Sequence, residues 1–219
     1  MPKLDMDEAL RYAGVGTPVP EDIRREMEAV AEKVTEIPPR YVWRAYTLCR
    51  EDDGISLEGS GVTLTGTLAS KMLSECERAV LFVCTLGERF DALLRREQAR
   101  DMARAVLLDA CGSAWVEAAC SDIEAEIGSR FPNLYLTDRF SPGYGDLPLE
   151  LQPAICAALD AKKRAGVHVT DSLLMNPAKS VSAIIGLSDK PQGARIRGCE
   201  YCSIRENCPI RKGGKTCGV

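Results

Sequence analysis

The sequence predicts an α+β fold: one main domain followed by a cysteine-rich tail. Two observations carry this. Helical periodicities come first and then mix with strands in no regular βαβ order. From Ser188 onward the chain turns polar, Gly-rich and irregular, which divides it into residues 1–188 and 189–219. At 219 residues and 45% hydrophobic content the chain can bury a real core, and with aromatics at 5% that core is aliphatic.

Asp5–Ala13 reads as a short helix ending at Gly14 and Gly16, with Pro18 and Pro20 barring continuation. Ile23, Met27, Val30 and Val34 recur at helical spacing in Glu21–Glu36, and Pro38-Pro39 ends the run. Arg40–Cys49, rich in Tyr, Val, Trp and Thr, reads as a strand. Val62, Leu64 and Thr67 mark a second short strand near Gly59–Gly66, and a helix follows over Leu68–Cys76. Ala79–Thr85 is an apolar strand that passes through Leu86-Gly87 into a helix over Glu88–Arg95. Such a turn can present N–H groups to a ligand, but a single Gly is weak evidence for that, and a plain βα connection is the favoured reading.

Ala99–Ile127 is the longest helical stretch, and its Ala, Gly and Ser let a neighbour approach closely. Its expected apolar stripe is Ala103, Val106, Leu107, Ala110, Ala114 and Ala118. Asp109, Ser113 and Glu117 fall at i, i+4 and i+8 and share one face. Leu134–Leu136 is a strand fragment, 139–147 a loop, and Leu151–Arg164 a helix closed by Gly166. Val167–Thr170 and Ser182–Gly186 read as strands.

Net charge is −4, and basic and aromatic residues do not interleave, so nucleic acid is not an expected partner. The longest apolar runs, such as Ala79–Val83, are too short to span a bilayer. The N-terminal segment lacks the apolar stretch of a signal peptide, so a cytoplasmic location is expected.

In such a compartment clustered cysteines point to metal or redox chemistry. Cys199, Cys202, Cys208 and Cys217 form C-x2-C-x5-C-x8-C. Four thiolates so close together can hold one zinc ion or one [4Fe–4S] cluster, and the spacing admits both. Arg195–Lys215 carries six Lys/Arg against two Glu. Those cations can dock an acidic redox protein or simply offset thiolate charge. A non-catalytic zinc-binding adaptor is the alternative reading. The C-x3-C-x2-C spacing of a radical enzyme is absent. Cys49, Cys76, Cys84, Cys111, Cys120 and Cys156 lie among apolar residues and are expected in the core.

R-F-S-P-G-Y at 139–144 is a turn in which Pro142 fixes φ and Gly143 permits a positive one. It holds an Arg fork suited to a carboxylate beside a Tyr ring suited to a planar or cationic group. The longer stretches T-D-R-F-S-P-G-Y-G-D-L-P-L at 137–149 and V-T-D-S-L-L-M-N-P-A-K-S-V-S-A-I-I-G at 169–186 resemble the activation domain of cobalamin-dependent methionine synthase. The resemblance rests on R-x-x-P-G-Y and T-[ED]-S-x-x-M-x-P-x-x-S-V-S, and extends over residues 20–187.

That resemblance implies a twisted antiparallel sheet with flanking helices and a site for S-adenosylmethionine (AdoMet). It implies that Arg139 contacts the methionyl carboxylate, that Tyr144 lies beside the ligand with Gly143 shaping the turn, and that backbone groups of Phe140 and Ser141 meet the adenosyl portion. Asp109 and Glu117 match the family's acidic helix face, but Ser113 stands where the principal ligand-binding acid is expected. Gly145-Asp146-Leu147-Pro148 also departs from the family's Pro-Ala-Cys-Pro type. The implied role is a stand-alone accessory protein for reductive methylation of cob(II)alamin on a partner methionine synthase or another corrinoid methyltransferase, with flavodoxin or ferredoxin as electron donor. The single His168 sits in no D-x-H-x-x-G motif, so cobalamin is expected on the partner.

Overall fold

The computed structural model describes residues 2–193, 196 and 206. Cys199, Cys202, Cys208 and Cys217 lie outside the described residues. In chain order the elements are α1 (Met6–Tyr12), α2 (Glu21–Thr35), β1 (Arg40–Glu51), β2 (Gly54–Leu57), β3 (Val62–Leu64), α3 (Thr67–Met72), β4 (Arg78–Thr85) and α4 (Gly87–Gln98). Then come α5 (Met102–Arg130), β5 (Tyr135–Leu136), α6 (Leu151–Ala158), α7 (Ala161–Arg164), β6 (His168–Val169), β7 (Met175–Asn176) and β8 (Ser180–Ser188).

Six strands form one antiparallel sheet in the order β3-β2-β1-β4-β8-β5, and β6 pairs with β7 separately. The central strand β4 is buried at every position after Arg78, because helices cover both faces. Val80, Phe82 and Cys84 point into a core shared with α1, α2, α4 and α5. Ala79, Leu81 and Val83 point the other way, toward α3, α6 and α7. Successive strand residues alternate faces, so one apolar run serves both cores.

The helix α5 runs for 29 residues. Asp101 caps its start by accepting from the Arg104 N–H at 3.1 Å. Its buried side differs from the expected stripe. Leu107, Ala110 and Ala114 are buried, but Ala103 and Val106 face solvent. The core side runs instead through Leu108, Cys111, Trp115 and Ile123. Trp115 anchors it, donating Nε1–H to the Ile37 carbonyl at 2.9 Å. Burial against the sheet on one side and against α1, α2 and α4 on others blurs the periodicity.

Other expectations shift as well. β2 was not anticipated; it forms the far arm of a hairpin turning at Asp52-Asp53, with Glu51 opposite Gly54. Thr67 begins α3 rather than ending a strand. Leu151–Arg164 breaks into α6 and α7 because Asp160 adopts a left-handed conformation (φ 50°, ψ 42°). Five of the scattered cysteines are buried, but Cys49, on the outer side of β1, is exposed. Among the described residues no helix is long and apolar enough to cross a membrane.

Candidate functional site

The solvent-facing stripe of α5 organises the site. Asp109, Ser113 and Glu117 fall on one line along it, with Glu124 two turns beyond Glu117. At about 1.5 Å per residue, Asp109 and Glu117 are about 12 Å apart along the axis. Three other segments converge on this line: α1, the 139–147 loop and the 176–180 strap.

The loop is pinned at both ends. Phe140 exchanges backbone hydrogen bonds with Ile184 of β8 (3.1 and 2.8 Å), and its ring is fully buried. The turn closes through Tyr144 N–H to Ser141 O (3.1 Å), Gly143 N–H to Leu147 O (2.9 Å) and Leu147 N–H to Tyr144 O (2.9 Å). Gly143 takes φ 89°, a value that favours glycine. At the far end Asp146 accepts from Thr67 N–H (2.6 Å), the Thr67 hydroxyl (2.7 Å) and Leu68 N–H (2.9 Å), so it caps α3 across the fold. These bonds, first from Leu68 and then from Thr67, hold its carboxyl down at about 2. Asp146 therefore ties down the far end of this loop.

Arg139 joins the loop to α5. Its two terminal nitrogens donate to Glu117 and Glu124, and its side chain is only 12% exposed. Burial opposes its charge, but the carboxylates of Glu124 and Glu117 outweigh burial and raise its pKa above the usual value. The guanidinium is therefore already engaged. It carries five N–H donors in all, so donors remain for a further acceptor. Beneath it lies the Cys120 thiol, held in its protonated form by a hydrogen bond with Cys84 and by burial.

One turn groups Asp109 and Ser113 around Lys179, whose Nζ donates to Asp109 Oδ2 and Ser113 Oγ at 2.9 Å each. Asp109 and Ser113 also line a groove of about 290 Å³ between α1, α4 and α5, walled by Tyr12, Leu94, Gln98, Met102 and Val106. Tyr12 donates its hydroxyl to Glu8 at 3.1 Å. Burial, then Glu8 and Glu117, push it up to about 12. Tyr12 therefore stays a neutral phenol facing the groove.

The structure brings Arg139, Glu117, Ser113 and Asp109 onto one surface. Tyr144 stands at the loop tip, 55% exposed. The Phe140 N–H and carbonyl are both paired with Ile184 and its ring is in the core, so Phe140 serves here to anchor the loop on β8. His168 is exposed, with Val167 turned into the core. Sequence reasoning missed Glu124, Lys179 and Tyr12. Glu124 had a signal, at i+7 from Glu117 on the same face; the other two meet α5 only through tertiary contacts. Among the described residues, no cluster of three or more His, Cys, Asp or Glu is arranged to hold a metal.

A family model described as vitamin B12 dependent methionine synthase, activation domain, matches residues 61–195. That span is more than half of the 219 residues and includes α5, the 139–147 loop and β8. Among solved structures the chain is similar to one titled as the crystal structure of the MetH reactivation domain bound to AdoHcy. The TM-score is 0.63 at 18% identity, covering 89% of this chain and 73% of that one. At that identity the likeness establishes a shared fold. No curated protein matches the chain in sequence.

Proposed function

The chain belongs to the vitamin B12 dependent methionine synthase activation-domain family, and from that premise we propose that it binds AdoMet and supports reductive methylation of a corrinoid carried by a partner protein. The observation that carries this reading is the Arg139–Glu117 contact, which brings the R-F-S-P-G-Y loop onto the acidic face of α5. The likeness to a reactivation domain solved with AdoHcy supports it further.

The arrangement suits the ligand's charges. AdoMet carries a carboxylate, an ammonium and a sulfonium. Arg139 has N–H donors beyond those given to the two glutamates, and these bind the carboxylate. One guanidinium between Glu117 and Glu124 leaves one formal negative charge to face the ligand's cations. In this reading Glu117 takes over the work of the acid that Ser113 lacks. The groove of about 290 Å³ is at the small end for a drug-sized molecule. It therefore holds part of AdoMet, against Tyr12 and Asp109, and the rest extends along α5 toward Arg139, Gly143, Tyr144 and the Ser141 backbone. The protein's contribution is positioning: it holds the methyl donor against an acceptor supplied from outside.

The partner is a cobalamin-dependent methionine synthase or another corrinoid methyltransferase, and a flavodoxin or ferredoxin supplies the electron. Cys199, Cys202, Cys208 and Cys217 hold an iron–sulfur cluster or zinc on the tail. Calorimetric titration of anaerobically purified protein with AdoMet tests the core of this. Saturable binding that Arg139→Ala loses supports the reading; no binding by the wild-type protein overturns it.

A further inference from the structure

Lys179 has no part in the reading above, yet it occupies the middle of the α5 face. Its ammonium lies 2.9 Å from both Asp109 Oδ2 and Ser113 Oγ, and its side chain is 18% exposed. The backbone beneath it is strapped down. The Lys179 carbonyl accepts from Leu86 N–H at 3.0 Å and from the Thr85 hydroxyl at 3.3 Å. Ala178 N–H donates to Asp91 Oδ2 at 3.1 Å, and the Ser180 hydroxyl reaches Thr85 Oγ1 at 2.8 Å. The result is a fixed positive charge at the edge of the groove. Asp109 offsets it; Ser113 accepts a hydrogen bond from it but carries no charge.

We infer that Lys179 sets the charge preference of the AdoMet site, disfavouring the sulfonium of AdoMet relative to the neutral thioether of AdoHcy. The inference rests on the AdoMet reading. The two ligands differ by one methyl group and one positive charge, so a held cation in a partly desolvated groove separates them by Coulomb repulsion. The same repulsion acts in favour of methyl transfer, because the sulfonium loses its charge as the methyl leaves. Interactions that are worse in the ground state than in the transition state accelerate the step.

The test is the ratio of AdoMet to AdoHcy affinity, measured by calorimetry on the full chain. Lys179→Met removes the charge and keeps much of the side-chain bulk. It is expected to shift the ratio toward AdoMet by about tenfold. Ser113→Glu keeps the lysine and adds a second neutralising carboxylate, so it is expected to move the ratio the same way without disturbing the strap. Lys179→Arg keeps the charge and is expected to leave the ratio near wild type. A purely structural lysine would change both affinities together. If wild type binds AdoMet and neither Lys179→Met nor Ser113→Glu moves the ratio by more than about twofold, the lysine's role is overturned and the AdoMet site stands. Wild type binding neither ligand overturns both.

Discussion

Replacing Arg139 by Met removes the cation shared by Glu117 and Glu124 and retains most of the side-chain stem that packs around it. Losing one partner of a fully buried ion pair costs about 3–5 kcal/mol. Here the arginine side chain is 12% exposed and the glutamates 34% and 24%, so water recovers part of the loss. A destabilisation of about 2 kcal/mol is expected, a fall in Tm of about 4–8 °C for a domain of this size. Without their shared guanidinium the two carboxylates face each other, so adding Glu117→Gln to Arg139→Met is expected to restore part of the loss. Urea unfolding at pH 7.5 reads both variants. A gap to wild type below about 0.5 kcal/mol, or no recovery in the double variant, would refute the idea that this network holds the loop on α5.

Three further outcomes are expected. Gly112→Ala puts a Cβ 2.1 Å from Phe90 Cζ and 2.5 Å from Cε2, with the ring fully buried, so α4 must move off α5; thermal unfolding should show a loss of about 1–3 kcal/mol, and Phe90→Leu in the same chain should recover part of it. Asp146 has a folded pKa lowered to about 2, so its contribution is present above the unfolded value of about 3.9 and is lost as pH falls through about 2; the amide resonances of Thr67 and Leu68 should titrate there, and Asp146→Asn should abolish the transition. Anaerobically purified protein is expected to contain iron and acid-labile sulfide that a Cys199→Ser, Cys202→Ser variant loses; one zinc per chain instead would make the tail a structural clasp.

What could be read from the sequence follows the range of the interactions. The mixed helix and strand order gave the α+β class, and the Pro142-Gly143 pair gave a turn with positive φ at glycine. Asp109, Ser113 and Glu117 were legible as one face because helical geometry is local. The β1–β2 hairpin was missed because Gly54-Ile-Ser-Leu57 is too short and too mildly apolar to announce a strand, and its partner strand was needed to reveal it. The orientation of α5 was misjudged because three neighbours bury it from different sides, so Ala103 looked no different from Ala105. Lys179 and Tyr12 reach the site through contacts across 66 or more residues and across the α1–α5 packing, which no periodicity encodes. Asp146 looked like a departure from a pattern; only the fold shows it capping a helix 78 and 79 residues earlier in the chain.

The proposed site places AdoMet along α5 between the Tyr12 groove and the Arg139 loop. Amide chemical-shift mapping of isotope-labelled protein titrated with AdoMet tests it directly. Saturable shifts are expected, concentrated in residues 105–117 and 139–147, with Lys179 among them. Shifts confined to the other groove, beside Tyr41 and Glu126, or no shifts at saturating AdoMet, would contradict it.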